Sequence, residues 1–225
     1  MNEGPRSRIR LKFARLAAAK DTTHLEQIKE LRSRAARSGL KFWPARIGGQ
    51  AAPKMAFGPA ASVGHESLCE YADLYLEEFA REDAAAEKLR PFDDENFRLI
   101  SARRVPVFFP AIEAAVNAAE YFMEADFPAG FSDAAVDAFM ARKSVEWEKV
   151  KSTGERKTLD ARAPVLSASF DREASLLKVT LKLEPGKNIK PEVAAELMAG
   201  ARPVFRRIVR RELYWFGSGG RLEVF

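Results

Sequence analysis

Val63-Gly64-His65-Glu66-Ser67-Leu68-Cys69-Glu70-Tyr71-Ala72-Asp73 runs from a glycine-centred turn into an extended segment. Residues 70–79 carry the period-two alternation of a strand. Working outward toward the N-terminus, residues 41–47 and 54–58 read as extended pieces around the irregular Gly48-Gly49-Gln50-Ala51-Ala52-Pro53. Asp21–Ser38 reads as a helix: Thr23 and Glu26 have the spacing of a capping box, and Gly39 supplies the stop. Leu25, Ile28, Leu31 and Ala35 form its apolar stripe. Before it, residues 8–16 alternate, with Ile9, Leu11 and Phe13 on one face and Arg8, Arg10 and Lys12 on the other. Toward the C-terminus a helix over 82–90 stops at Pro91, and Phe97–Val105 returns as a strand. The order β-α-β-β-α-β predicts a ferredoxin-like half.

A second round follows the proline-punctuated stretch Pro106–Pro110. Glu120–Phe127 is strand-like, and Ser132 heads a helix to about Lys143 with Val136, Phe139 and Met140 apolar. Extended segments follow near 145–151, 157–162, 165–170 and 176–183, then a helix over 190–199 with Pro191 at its first position. Residues 204–216 fit a strand, although Phe205, Ile208, Val209 and Leu213 also satisfy a helical stripe. Their β-branched and aromatic content, with Gly217-Ser218-Gly219-Gly220 as a turn before Arg221–Phe225, favours a hairpin. The expected architecture is α+β: two ferredoxin-like halves with mainly antiparallel sheets, at 1–115 and 116–225. The halves share no clear residue-level repeat.

A hydrophobic fraction of 47% beside 31% charged residues fits a globular chain with a real core. No apolar run approaches the roughly 18 residues of a membrane span, and no signal-peptide core follows the basic N-terminus. The expected location is the cytoplasm, with no membrane partner. Cys69 is the sole cysteine, which excludes an internal disulfide and the three-cysteine set of a radical SAM cluster. His24 and His65 are the only histidines, too few for an ordinary zinc site. No Walker loop, dinucleotide fingerprint or nucleophile elbow is present. No metal and no cofactor are expected.

Several separate blocks, in order, match one pattern. They are Arg8-Ile9-Arg10-Leu11-Lys12-Phe13, His24-Leu25, the Gly64, Glu66, Ser67, Glu70, Tyr71 and Asp73 positions, Ala118-Ala119-Glu120-Tyr121, and Arg207-Ile208-Val209-Arg210. In these the chain resembles the radical-SAM-linked group of bacterial proteins, which are often fused to, or encoded beside, a radical SAM protein. The resemblance implies such a partner, with any cluster on the other chain, and implies no reaction of its own. One departure stands out. Where that family has Gly-Phe-Asn-Pro-basic-Pro-basic, this chain reads Gly48-Gly49-Gln50-Ala51-Ala52-Pro53-Lys54.

The net charge of +5 permits nucleic-acid binding without arguing for it. Alternation gathers Arg8, Arg10 and Lys12 on one face, and in a ferredoxin-like half the helices leave one sheet face open. Guanidinium groups there suit phosphate oxygens, while the plainer reading is a solvated face. Lys54 remains basic in the altered loop. At the C-terminus Arg206, Arg207, Arg210 and Arg211 lie among Tyr214 and Trp215. Arginine for phosphate with aromatic for base is a single-strand RNA combination, although core packing and partner docking fit the same residues.

Candidate acid–base groups are His24, as histidine is the side chain best suited to proton transfer near neutral pH, and Glu66 and Glu70. Glu70 and Asp73 fall on opposite faces of a regular strand, which argues against a dyad. Cys69 reads as a small buried hydrophobe. The function expected is a non-catalytic accessory that binds RNA (tRNA or rRNA) or presents substrate to a radical SAM partner. The alternatives are an RNA-modifying enzyme of pseudouridine-synthase-like topology, against which the aspartate-free Gly48–Lys54 loop counts, and a protein–protein adaptor.

Overall fold

Ser7–Arg15 forms strand β1, a 3-10 turn covers Ala17–Ala19, and His24–Arg37 forms helix α1. The computed structural model describes residues 4–150, 154–217 and 219–225. Strands β2 (Pro44–Ile47), β3 (Gln50–Pro53), β4 (Met55–Phe57) and β5 (Glu66–Leu76) follow, then α2 (Glu82–Leu89), β6 (Phe97–Val105) and the short α3 (Ile112–Ala115). Next come β7 (Ala118–Asp126), α4 (Asp133–Met140), β8 (Glu146–Val150), β9 (Arg156–Asp160), β10 (Val165–Asp171) and β11 (Leu176–Lys182). Helix α5 (Pro191–Ala199), β12 (Val204–Phe216) and β13 (Leu222–Val224) close the chain. The class is α+β, with antiparallel pairing at every described ladder. Two compact units result, Met1–Val116 and Asn117–Phe225.

In the first unit the sheet runs β4-β5-β1-β6. Ile9, Leu11 and Phe13 of β1 meet Ala72 and Leu74 of β5, Phe97 and Leu99 of β6, Leu31 and Ala35 of α1, and Ala85 and Leu89 of α2 in one core. Thr23 and Glu26 make both hydrogen bonds of the expected capping box. The stripe read from sequence needs one correction. Leu25 is 69% exposed, and the buried row of α1 is Gln27, Leu31, Arg34 and Ala35. Leu25 is displaced by more than a quarter turn from that row, so it projects into solvent.

The segment read as irregular, Gly48–Pro53, is also more ordered than expected. Ile47 pairs with Gln50, leaving Gly48 and Gly49 as a two-residue loop. Both have positive φ, 59° and 83°, the requirement of a type I′ hairpin turn that glycine meets without steric cost.

The sheet of the second unit runs β10-β11-β7-β12-β13. Tyr121, Met123 and Ala125 of β7 and Leu177, Val179 and Leu181 of β11 are buried with Val136 and Phe139 of α4 and Ala194 and Met198 of α5. Phe127, Phe131 and Phe170 form an aromatic cluster, with ring centroids 4.6 Å apart for the stacked Phe127–Phe131 pair. Residues 204–216 form a strand rather than a helix, and β12 turns into β13. Lys151, the end of the expected 145–151 segment, and Ser218 of the expected turn lie outside the described residues. Strands β8 and β9 form a separate hairpin. Beside it Asp160 accepts from the backbone N–H groups of Val145 and Arg162, both at 2.9 Å. The Val145 bond leads the causes that hold its carboxyl below the usual carboxylate range.

Candidate nucleic-acid interface

The register of β1 against β5 places Arg8 opposite Tyr75, Arg10 opposite Asp73 and Lys12 opposite Tyr71. These residues share the sheet face away from α1 and α2, as alternation requires. The expected open basic face is not there, however. Arg8 is 1% exposed and Arg10 8%, and Asp73 is fully buried. Arg10 Nε donates to Asp73 Oδ1 at 2.8 Å, and Arg8 Nη2 donates to Asp73 Oδ2. Lys12 sits 5.5 Å from the Tyr71 ring centroid, and Lys54, which is exposed, 5.0 Å from that of Tyr75.

The cover is the segment after β6. Arg8 Nη1 donates to the carbonyl of Phe109 at 2.6 Å, and Nη2 to that of Pro110 at 2.7 Å. Farther along, α3 packs against β4 and β5. The proline-punctuated stretch is therefore a strap across the face away from α1 and α2, held by a guanidinium that Asp73 holds in turn. Arg8 acts here as a positioning residue.

What the strap displays is a cleft of about 600 Å³ lined by Arg6, Arg8, Phe79, Arg104, Val107 and Phe108 together with Ser7, Val105 and Pro106. None of these lining residues is acidic. Phe108 is 85% exposed and Phe79 64%. The Arg104 guanidinium carbon lies 4.7 Å from the Phe79 ring centroid, and Phe108 meets Phe109 edge-on at 5.4 Å. Burying a phenylalanine is worth roughly 1.5–3 kcal/mol. Two rings left in solvent beside arginines give up that gain, and such exposure is informative where a scattered surface leucine is not.

The arginines of β12 have a different setting. Arg206 pairs with Asp126 at 3.0 Å, and Arg207 with Glu124 at 3.7 Å. Arg210 is buried at 1% exposure opposite Tyr121, contrary to the accessible position expected of it. Arg211 is exposed over the Phe122 ring at 5.2 Å. Tyr214 Oη donates to Glu120 at 3.4 Å, and Trp215 is 44% exposed. Strand pairing thus supplies β12 with carboxylates of β7 some 80 residues away in sequence, and its positive charge is largely answered within the unit.

Of the acid–base candidates, Glu70 and Gln27 come together. Gln27 Nε2 donates to Glu70 Oε2 at 2.7 Å, with both residues buried. Gln27 Oε1 is buried with no hydrogen-bond partner among the described residues. His24 is one helical turn before Gln27 and meets the Phe57 ring edge-on, centroids 6.4 Å apart. Arg32 lies over the same ring at 5.3 Å, and its desolvation lowers its pKa. Glu66 is buried at the first position of β5. Ser67 Oγ accepts from the Cys69 N–H at 3.3 Å, and Cys69 is fully buried. Among the described residues no group of three His, Cys, Asp or Glu side chains is arranged to hold a metal ion, and no helix is long and apolar enough to cross a membrane.

Sequence reasoning passed over Phe79, Arg104 and Phe108. The available signal was Arg103-Arg104-Val105-Pro106-Val107-Phe108-Phe109-Pro110, aromatics held between prolines in a stretch too short to bury them.

A family model described as an uncharacterized protein conserved in bacteria (DUF2344) matches residues 8–191. The chain belongs to that family. The match runs from Arg8, the second residue of β1, to the first residue of α5, and so includes the strap and all of the cleft lining except Arg6 and Ser7. No curated protein matches the chain.

Proposed function

We propose that this protein is a non-catalytic accessory module that binds RNA, tRNA or rRNA, through the Arg6–Phe79–Arg104–Phe108 cleft. The observation that carries the reading is exposed Phe79 and Phe108 beside Arg104 in a concave site whose lining holds no carboxylate. Guanidinium groups take phosphate oxygens, and rings take base faces. The resemblance of the opening strand and the Gly64–Asp73 block supplies the expected partner, a radical SAM protein in the cytoplasm, to which the module would present its RNA.

Each unit reads as a ferredoxin-like half. The order β4-β5-β1-β6 supports this for the first, and β10-β11-β7-β12 for the second, since both place the first strand between the third and fourth of a β-α-β-β-α-β series. Each half also carries a two-stranded hairpin between its first helix and its second strand, β2–β3 and β8–β9. A protein–protein adaptor is the second reading, favoured by the exposure of Phe79, Phe108 and Phe109.

RNA binding and adaptor function separate on salt. Counterion release makes log affinity for a single strand fall with log salt by about 0.7 per phosphate neutralised. Arg104→Gln is expected to weaken RNA binding at low salt and to reduce that slope by nearly one phosphate. Anisotropy titrations across a salt series check this. RNA affinity that is absent, or indifferent to Arg104, sinks the reading.

A further inference from the structure

The lining of the cleft also bears on which form of RNA it takes, an inference that rests on the RNA reading above. We infer that the cleft seats unpaired nucleotides, with bases on Phe79 and Phe108 and a phosphate on Arg104, and that it does not take a duplex.

In an A-form helix the base faces are stacked on one another and the major groove is too deep and narrow for side chains, so a duplex offers proteins its phosphates and 2′-hydroxyls. A site for duplex RNA has no use for exposed phenylalanine. Unpaired bases do present their faces, and stacking on an aromatic ring is the sequence-tolerant way to hold them. Phe108 fits that role: the residue is 85% exposed, and its contact with Phe109 is edge-on at 75°, which occupies at most one ring face. Phe79 has the Arg104 guanidinium over its ring and is still 64% exposed.

The mount is rigid. The backbone carbonyls of Phe109 and Pro110, next to Phe108, are fixed by the buried Arg8. A strap already anchored has less backbone freedom to lose when a base stacks on it, which favours binding. Arg104 can stack on Phe79 and still direct its N–H edge at a phosphate, because the guanidinium is planar and its donors lie in that plane. Size points the same way. The volume of about 600 Å³ falls within the roughly 300–1,000 Å³ of pockets that hold single small ligands, the size of a nucleotide or two.

The test uses the full chain with an unstructured single strand and with the same strand annealed to its complement. The single strand is expected to bind at least about tenfold more tightly. Phe108→Ala and Phe79→Ala are each expected to weaken it by about 5- to 150-fold, the range implied by loss of one stacked base, with duplex affinity unchanged. Phe108→Trp retains single-strand binding, because it keeps a stacking face. These residues are exposed, so the variants are expected to stay folded, as circular dichroism verifies. Equal binding of both forms, unmoved by the phenylalanine variants, overturns the unpaired-nucleotide inference and leaves RNA binding standing. Binding of neither form removes the RNA reading and this inference with it. So does phenylalanine-dependent binding to anionic vesicles in place of RNA.

Discussion

Asp73→Asn is expected to destabilise the protein by about 3–5 kcal/mol, the range for removing one member of a buried ion pair. Asp73 is fully buried, and Arg8 and Arg10 both donate to it. Neutralising it leaves two guanidiniums under the surface without that counter-charge, and the cost is mostly their desolvation. At roughly 2–4 °C per kcal/mol for a chain of this size, the melting temperature falls by about 6–20 °C. Asp126→Ala is the control. Its partner Arg206 is half exposed and its own side chain more so, and such surface pairs are worth about 0–1 kcal/mol. Urea denaturation of the two variants beside the parent decides the matter. A stable Asp73→Asn protein would mean that the pair is not the internal clamp described. The substitution reaches the cleft as well, because Arg8 released from Asp73 no longer fixes the strap that carries Phe108.

Arg15→Met comes next in expected size, at about 3 kcal/mol or more. Arg15 is fully buried and donates to the carbonyls of Ala19 at 3.0 Å, Thr22 at 2.9 Å and Ala61 at 3.2 Å, and to that of Lys20. One guanidinium thus ties the turn entering α1 to the loop before β5. Each buried acceptor left without a donor costs roughly 1–3 kcal/mol, moderated where water can enter. Lysine cannot substitute fully, since its point charge does not reproduce the planar fork of donors. The expected order of stability is parent, then Arg15→Lys, then Arg15→Met. Hydrogen exchange should locate the loosening at residues 16–27 and 61–65. An Arg15→Lys protein as stable and as protected as the parent contradicts this.

What the sequence revealed was local. The alternation of residues 8–13, the Thr23–Glu26 cap and the strand at 204–216 are encoded within a turn or a few residues, and the chain forms them. What it concealed was set at long range. Alternation puts Arg8 and Arg10 on one face but does not tell whether another segment covers it, and the strap that does is about 100 residues away. The arginines of β12 read as a phosphate surface until pairing with β7 brings Glu124 and Asp126 against them. The cleft was hidden for the same reason. Phe79 follows β5, Arg104 is on β6 and Phe108 is on the strap, and only the fold gathers them into one lining.

Photo-crosslinking of RNA to the full chain, followed by identification of the modified peptides, shows where RNA lies on the protein. The account predicts adducts on the peptides that carry Phe79 and Arg104–Phe109, lost in the Phe108→Ala protein. Adducts confined to residues 204–216, or none at all, would contradict it.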